Sequence, residues 1–248
     1  MTSDEPRSSC VVVGATGAIG AGICRALAPN WNVLGVGRSE LPEDLSAAGV
    51  AGLRADITAP DVGEVIESRL HDQGWDCDGL VIASGIHQVA LLAELKIESM
   101  EQMLAVNFLG PLAITKALVP AMLSQRRGSI VWISSLRGER GDPGQVAYAA
   151  SKGAMNASLY SLAREVGRRN VRINVVAPGM VVSPMAEMIA QTRQALVDRS
   201  PLGRMADLEE LAAAVAWLVG PHSSYVTGTI LNVDCGESAA VHQEPVSA

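Results

Sequence analysis

The chain is 248 residues long, enough for one large domain, and carries 26 acidic against 19 basic side chains, a formal charge of −7. This acidic balance offers no surface suited to nucleic acid or anionic lipid. Hydrophobic residues make up 48% and aromatics only 3%, so the core must be built from Val, Ile, Leu and Ala, the usual filling of a parallel sheet covered by helices.

The opening MTSDEPRSS is polar and acidic and lacks the basic-then-apolar order of a signal peptide. Residues 1–9 are expected to form a flexible tail, ahead of a single domain over 10–248 in a cytoplasmic protein. Apolar stretches such as LAAAVAWLVG (211–220) are too short to span a bilayer. Cys10, Cys24, Cys77 and Cys235 show no CxxC spacing, and His71, His87, His222 and His242 show no ligand-like pairing. Neither a structural metal nor a disulfide framework is expected.

Seven short apolar runs read as strands: CVVVGA (10–15), NVLGVG (32–37), GVAGLRA (49–55), DGLVIAS (78–84), SIVWISS (129–135), VRINVVAP (171–178) and GTILNVD (228–234). Most lack polar alternation, so both faces should be buried. Helical segments fall between them, with signals such as DVGEVIESRL (61–70) and ADLEELAAAVAWLVG (206–220). The alternation predicts an α/β fold: a doubly wound, parallel seven-stranded sheet with helices on both faces and right-handed crossovers.

Directly after the first strand comes GATGAIG (14–20). Gly14 allows a sharp turn past Thr16. The stretch Gly17, Ala18, Ile19 and Gly20 lets the backbone and a helix N-terminus approach a pyrophosphate. The second strand should end at the adenosine ribose, where an acidic residue would mark NAD(H). Here Gly37 is followed by Arg38 and Ser39. A guanidinium and a hydroxyl suit a 2′-phosphate, so NADP(H) is expected in preference to NAD(H).

Farther along, SMEQMLAVNFLGPLAITKALVPAML (99–123) is helical in pattern but contains Pro111. A proline there takes the helix partner from the carbonyl of Asn107, and a kink with a free carbonyl is a place for an ordered water. The strand SIVWISS ends at Ser135, at the sheet edge where ligands bind. The segment DPGQVAYAASKGAMNASLYSLAREVGRR (142–169) reads as a long helix with Tyr148 and Lys152 on one face. An ammonium beside a phenol favours phenolate, the tuning a general acid/base needs.

Taken together, these motifs resemble the short-chain dehydrogenase/reductase family in its compact single-domain branch. The likeness runs over roughly residues 10–236 and includes RADIT, IASG, AVNFLGPL, YAASK, APGMVVSPM and PLGR…YVTGTILNVDCG. It implies a Rossmann-type domain and a catalytic tetrad of Asn107, Ser135, Tyr148 and Lys152. In that tetrad Tyr148 exchanges the proton, Ser135 holds the substrate oxygen, Lys152 holds the nicotinamide ribose and tunes Tyr148, and Asn107 anchors a water relay. It also implies cofactor contacts from Asp56 and Ile57 at the adenine and from the backbone of Ala83, Ser84 and Gly85 at the ribose. Residues 178–183, with Pro178, Gly179, Val181 and Ser183, would surround the nicotinamide. The chain departs from the family pattern with Val13 before the first glycine, IASG in place of NNAG and VDCG in place of VDGG.

The expected activity is NADPH-dependent carbonyl reduction on a small-molecule or carrier-bound substrate. One narrower form is 3-oxoacyl-carrier-protein reduction, since Arg126 and Arg169 occupy positions similar to those contacting the acidic carrier in such reductases. The competing class is a non-catalytic dinucleotide-binding regulator. Substrate determinants are expected in 136–147, where Arg137 and Arg140 could meet an anionic group, and in the Met-rich segment 180–201, a mobile lid. His87 could line the entrance. The resemblance further implies a homotetramer built on the 99–125 and 146–168 helices and the C-terminal strand.

Overall fold

In a computed structural model the chain is described over residues 7–182, 197–198 and 200–239. Seven strands, β1 (Ser9–Val13), β2 (Asn32–Gly37), β3 (Ala51–Arg54), β4 (Gly79–Ile82), β5 (Gly128–Ile133), β6 (Val171–Pro178) and β7 (Ile230–Val233), form one sheet in the order β3-β2-β1-β4-β5-β6-β7. Every pairing is parallel. Each of the seven apolar runs contains one strand, and strand order reverses between β1 and β4, the switch point at which such sheets bind ligands.

The helices are α1 (Ala18–Leu27), α2 (Glu43–Ala47), α3 (Val62–Asp72), α4 (Ile97–Leu104), α5 (Gly110–Gln125), α6 (Val146–Val166) and α7 (Leu208–Val219). Alternate residues of each central strand feed two separate cores. Val11, Val13, Ile130 and Trp132 pack with Ile66, Leu118, Met155 and Leu159 of α3, α5 and α6. Cys10, Val12, Val131 and Ile133 pack with Ile23, Leu211 and Val215 of α1 and α7. Because both faces are covered, the strands have no polar face.

The segment predicted to kink at Pro111 does so through a π-helical turn, Ala105–Leu109, between α4 and α5. Gly110 N–H reaches back five residues to the Ala105 carbonyl. The proline's missing donor therefore falls at a shift of register and not at a break. The continuous run Ile97–Gln125 is long and apolar enough by composition to cross a membrane, which corrects the expectation that every apolar stretch is too short. In this fold its buried stripe (Met103, Ile114, Leu118 and Met122) lies in the protein interior.

One buried polar link fixes this helix to the sheet. Trp132 Nε1 donates to Thr115 Oγ1 at 3.1 Å, and that hydroxyl donates onward to the Pro111 carbonyl at 2.8 Å. Both side chains are buried. Thr115→Val keeps the shape but strands the indole N–H, at a cost of about 1–3 kcal/mol. Thermal unfolding should show a fall in Tm of roughly 2–4 °C per kcal/mol. An unchanged Tm would mean that the link contributes nothing.

Candidate active site

The turn after β1 is shaped by what a side chain would strike. Gly14 has φ +89°, and a Cβ there would sit 2.6 Å from Ser84 N. Its N–H and that of Ala15 both donate to the Val36 carbonyl, at 2.8 and 3.0 Å. Gly17 then begins α1 with no side-chain cap, which leaves the N–H groups of the first helical turn pointing outward for an anion.

Beside this turn lies a cavity of about 500 Å³. Its walls include Gly14, Thr16, Gly17, Arg38, Asp56, Ile57, Ala83, Ser84 and Gly85. Of the other residues expected at the cofactor, Ala18, Ile19, Gly20 and Ser39 lie off these walls, Pro178 ends β6, and Gly179 and Val181 follow it. Ile19 packs instead against the α1 core. Ser183, most of the proposed 180–201 lid and the residues from 240 onward lie outside the described residues.

At the adenosine end a Cβ on Gly37 would lie 2.6 Å from Thr16 Cγ2, so a carboxylate has no room there. Arg38 follows it, exposed, and Arg54 Nε donates to the Arg38 carbonyl at 3.0 Å. This second guanidinium was not picked out in the sequence, because it reads there only as the last residue of a strand. Asp56 Oδ1 accepts from the N–H and the hydroxyl of Thr58, at 2.9 and 2.8 Å, and these bonds hold its carboxyl below the usual range.

Ser84 Oγ is buried on the cavity wall with no hydrogen-bond partner among the described residues. A buried hydroxyl left in this way is costly unless a bound group satisfies it. Together with the open helix terminus and the close glycine turn, it makes these residues a fit for a nicotinamide dinucleotide.

The four tetrad positions converge between β4, β5 and α6. Ser135 Oγ accepts the Arg137 N–H at 3.2 Å, and the phenol of Tyr148 stands beside that hydroxyl. Burial pushes the Tyr148 phenol above its ordinary value, opposed by the nearby Ser135 hydroxyl and by the charge of Arg137. Lys152 is buried, and desolvation lowers its pKa to about 8. Its Nζ donates to the Ile133 carbonyl at 2.8 Å and lies 6.0 Å from the centre of the Tyr148 ring.

The ammonium is bonded to the end of β5 and stands beside the ring that it was expected to tune, and the charge of Arg137 also favours the phenolate. The Asn107 side chain clamps the backbone of Ile86, with Oδ1 accepting at 2.8 Å and Nδ2 donating at 2.9 Å, and Nδ2 also donates to Ser151 Oγ at 2.9 Å. The side chain thus braces the loop after β4 against α6, and Lys152 Nζ and Asn107 Oδ1 both border Gly85. Ser151 went unnoticed in the sequence because a serine beside the lysine carries no distinctive spacing.

His87 meets the Tyr148 ring edge-on, with centroids 4.6 Å apart and planes at 81°. Burial pushes its pKa down, opposed by the Gln145 side chain beside it. Arg137 is held by two carboxylates, Asp142 and Glu237, and so is not free to receive an anionic substrate. Arg126 and Arg169 come near one another, since Asn170 Nδ2 donates to the Arg126 carbonyl at 3.0 Å. They lie where β5 and β6 begin, at the edge opposite the tetrad.

Over residues 14–238 the chain matches a family model described as Enoyl-(Acyl carrier protein) reductase. It is 40% identical over 176 residues, 71% of each chain, to the 3-oxoacyl-[acyl-carrier-protein] reductase FabG of Thermotoga maritima. The Escherichia coli FabG is 33% identical over 232 residues, 91% of this chain and 95% of that one. A candidate gluconate dehydrogenase of Agrobacterium tumefaciens superposes with a TM-score of 0.89 at 22% identity, over 94% of this chain and 97% of that one, a likeness of fold. The glycine turn, the sheet order and these relatives agree: the chain belongs to the short-chain dehydrogenase/reductase family and is an NAD(P)-dependent oxidoreductase acting on CH–OH and C=O groups.

Proposed function

We propose that this protein is a cytoplasmic NADPH-dependent carbonyl reductase in which Tyr148 is the general acid. The observation that carries the reading is the convergence of two hydroxyls. The Ser135 hydroxyl stands beside the Tyr148 phenol, and its oxygen accepts the Arg137 N–H. A ketone oxygen placed between them receives a hydrogen bond from Ser135 and a proton from Tyr148 as negative charge develops on it. The nicotinamide, when bound, supplies the hydride to the carbonyl carbon.

A raised phenol pKa keeps Tyr148 protonated at neutral pH, the state that a proton donor needs. Lys152, beside Gly85, is the donor available to the nicotinamide ribose. Arg38, with Arg54 at its carbonyl, is the group for a 2′-phosphate, and Ser84 Oγ supplies a further hydrogen bond to the dinucleotide.

A narrower reading, reduction of a 3-oxoacyl group on a carrier protein, is favoured by the FabG relatives and by the pairing of Arg126 with the Arg169–Asn170 turn. Because that pair stands opposite the tetrad, a carrier held there would have to serve the site of a neighbouring subunit. A homotetramer is part of the same proposal, supported by large apolar side chains exposed along the helices it would use, Leu109, Val146 and Tyr160.

Tyr148→Phe should lower the rate of ketone reduction by about 10²–10⁴ and leave NADPH affinity unchanged in a fluorescence titration. A variant with full turnover would remove Tyr148 from the mechanism, and NADPH binding without turnover of any carbonyl by the wild-type protein would favour a regulator. Arg38→Asp should move the preference from NADPH to NADH by tenfold or more, on the order of one charge-assisted contact. Wild-type protein that already prefers NADH tenfold would overturn the assignment of Arg38. Arg126→Ala combined with Arg169→Ala should raise KM for a carrier-bound substrate but not for a small ketone. Equal effects on both substrates would count against docking.

A further inference from the structure

Arg137 sits two residues past Ser135, and its guanidinium is enclosed by the protein. Its side chain is only 13% exposed. Nε pairs with Asp142 Oδ2 at 3.0 Å, and Nη2 pairs with Glu237 Oε1 at 2.8 Å, the Glu237 side chain being 8% exposed. The three residues come from different parts of the fold. Arg137 lies in the short 3₁₀ helix Leu136–Gly138 after β5, Asp142 precedes the start of α6, and Glu237 follows β7.

The turn that carries Glu237 is itself fixed. The buried Asp234 carboxylate accepts the N–H of Gly236 at 3.0 Å and of Ser238 at 2.7 Å. Ser135 and Tyr148 stand at the two ends of the segment that Arg137 and Asp142 occupy. An ion pair so well enclosed is sensitive to loss of either partner, because the other is left as an uncompensated charge.

We propose that Arg137 is a positioning residue for Ser135 and Tyr148, its guanidinium clasping the β5–α6 loop to the turn after β7 so that the two hydroxyls keep their relative placement. The proposal deepens the reductase reading and rests on Tyr148 as proton donor. It makes the turn after β7 part of the catalytic frame, although no residue of that turn reaches the reacting oxygen. The clasp also has an electrostatic consequence. The phenol is faced by the His87 ring from the loop after β4, by Lys152 on its own helix and by Arg137 from the loop after β5, with Asp142 and Glu237 behind Arg137. Of these, Lys152 and Arg137 are the cations, and the charge of Arg137 favours phenolate and counters the effect of burial.

The test is the pH profile of ketone reduction in Arg137→Met, Arg137→Lys and Glu237→Gln, with Tm and NADPH affinity measured alongside. Reduction falls as pH rises through the Tyr148 pKa, because only the protonated phenol donates. Removing the cation raises that pKa, so Arg137→Met should shift the falling limb to higher pH and lower kcat about tenfold, within the range expected for a small misplacement of reacting groups. NADPH affinity should stay within about twofold, a tolerance worth about 0.4 kcal/mol. Arg137→Lys keeps the charge and should restore the wild-type limb. Glu237→Gln removes a negative charge behind the guanidinium and should shift the limb to lower pH; if Arg137→Met does not fold, this variant decides. A wild-type limb and kcat in either Arg137→Met or Glu237→Gln would overturn the clasp. Undiminished reduction by Tyr148→Phe would instead overturn the reading of Tyr148, and the two failures are separate.

Discussion

A parallel sheet buried on both faces can meet solvent only along its edges, and this constraint governs the rest of the molecule. Alternate residues of β1 and β5 are spent on two different cores, so the central strands have no polar face to offer to a ligand. Polar chemistry is confined to the loops that leave the strands. At the carboxyl ends of β1, β4, β5, β6 and β7 those loops are gathered at one edge, and the reversal of strand order between β1 and β4 opens the space beside the glycine turn.

At that edge backbone groups do much of the positioning. The Ile133 carbonyl receives Lys152 Nζ, and Ser134 Oγ donates to the Lys152 carbonyl at 3.2 Å. The end of β5 is thereby joined to α6 within one turn of Tyr148. Asn107 joins the loop after β4 to the same helix through Ile86 and Ser151. Each of these groups is buried or nearly so, in surroundings where an unmet hydrogen bond is costly, and that cost holds the hydroxyls, the ammonium and the amide in fixed relation. Glu237, one of the carboxylates that enclose Arg137, extends the frame to the turn after the edge strand β7.

Much of this was legible in the sequence where chemistry is encoded by local spacing. The spacing of four from Tyr148 to Lys152 places both on one helix face, and a glycine string between a strand and a helix has few physical uses other than holding a phosphate. The π turn was only half legible. Pro111 announced a disturbance, but the way the helix absorbs it depends on α4 and α5 packing as one run on the sheet. Likewise the spacing placed the lysine beside the tyrosine, but not the carbonyl at the end of β5 that holds its ammonium.

What the sequence by itself determined is the set of local rules: strands without polar alternation, a glycine turn at residues 14–20, Arg38 with no carboxylate before it, and a Tyr–Lys pair on one helix face. Each follows from neighbours along the chain, whose geometry is set by backbone sterics and helical period. Only the tertiary structure decided which carbonyl holds the Lys152 ammonium, what the Asn107 side chain holds, and that Arg137 meets a carboxylate 100 positions away. Those are contacts between elements, and their energies depend on burial and distance in space, quantities to which the order of residues along the chain gives no direct access.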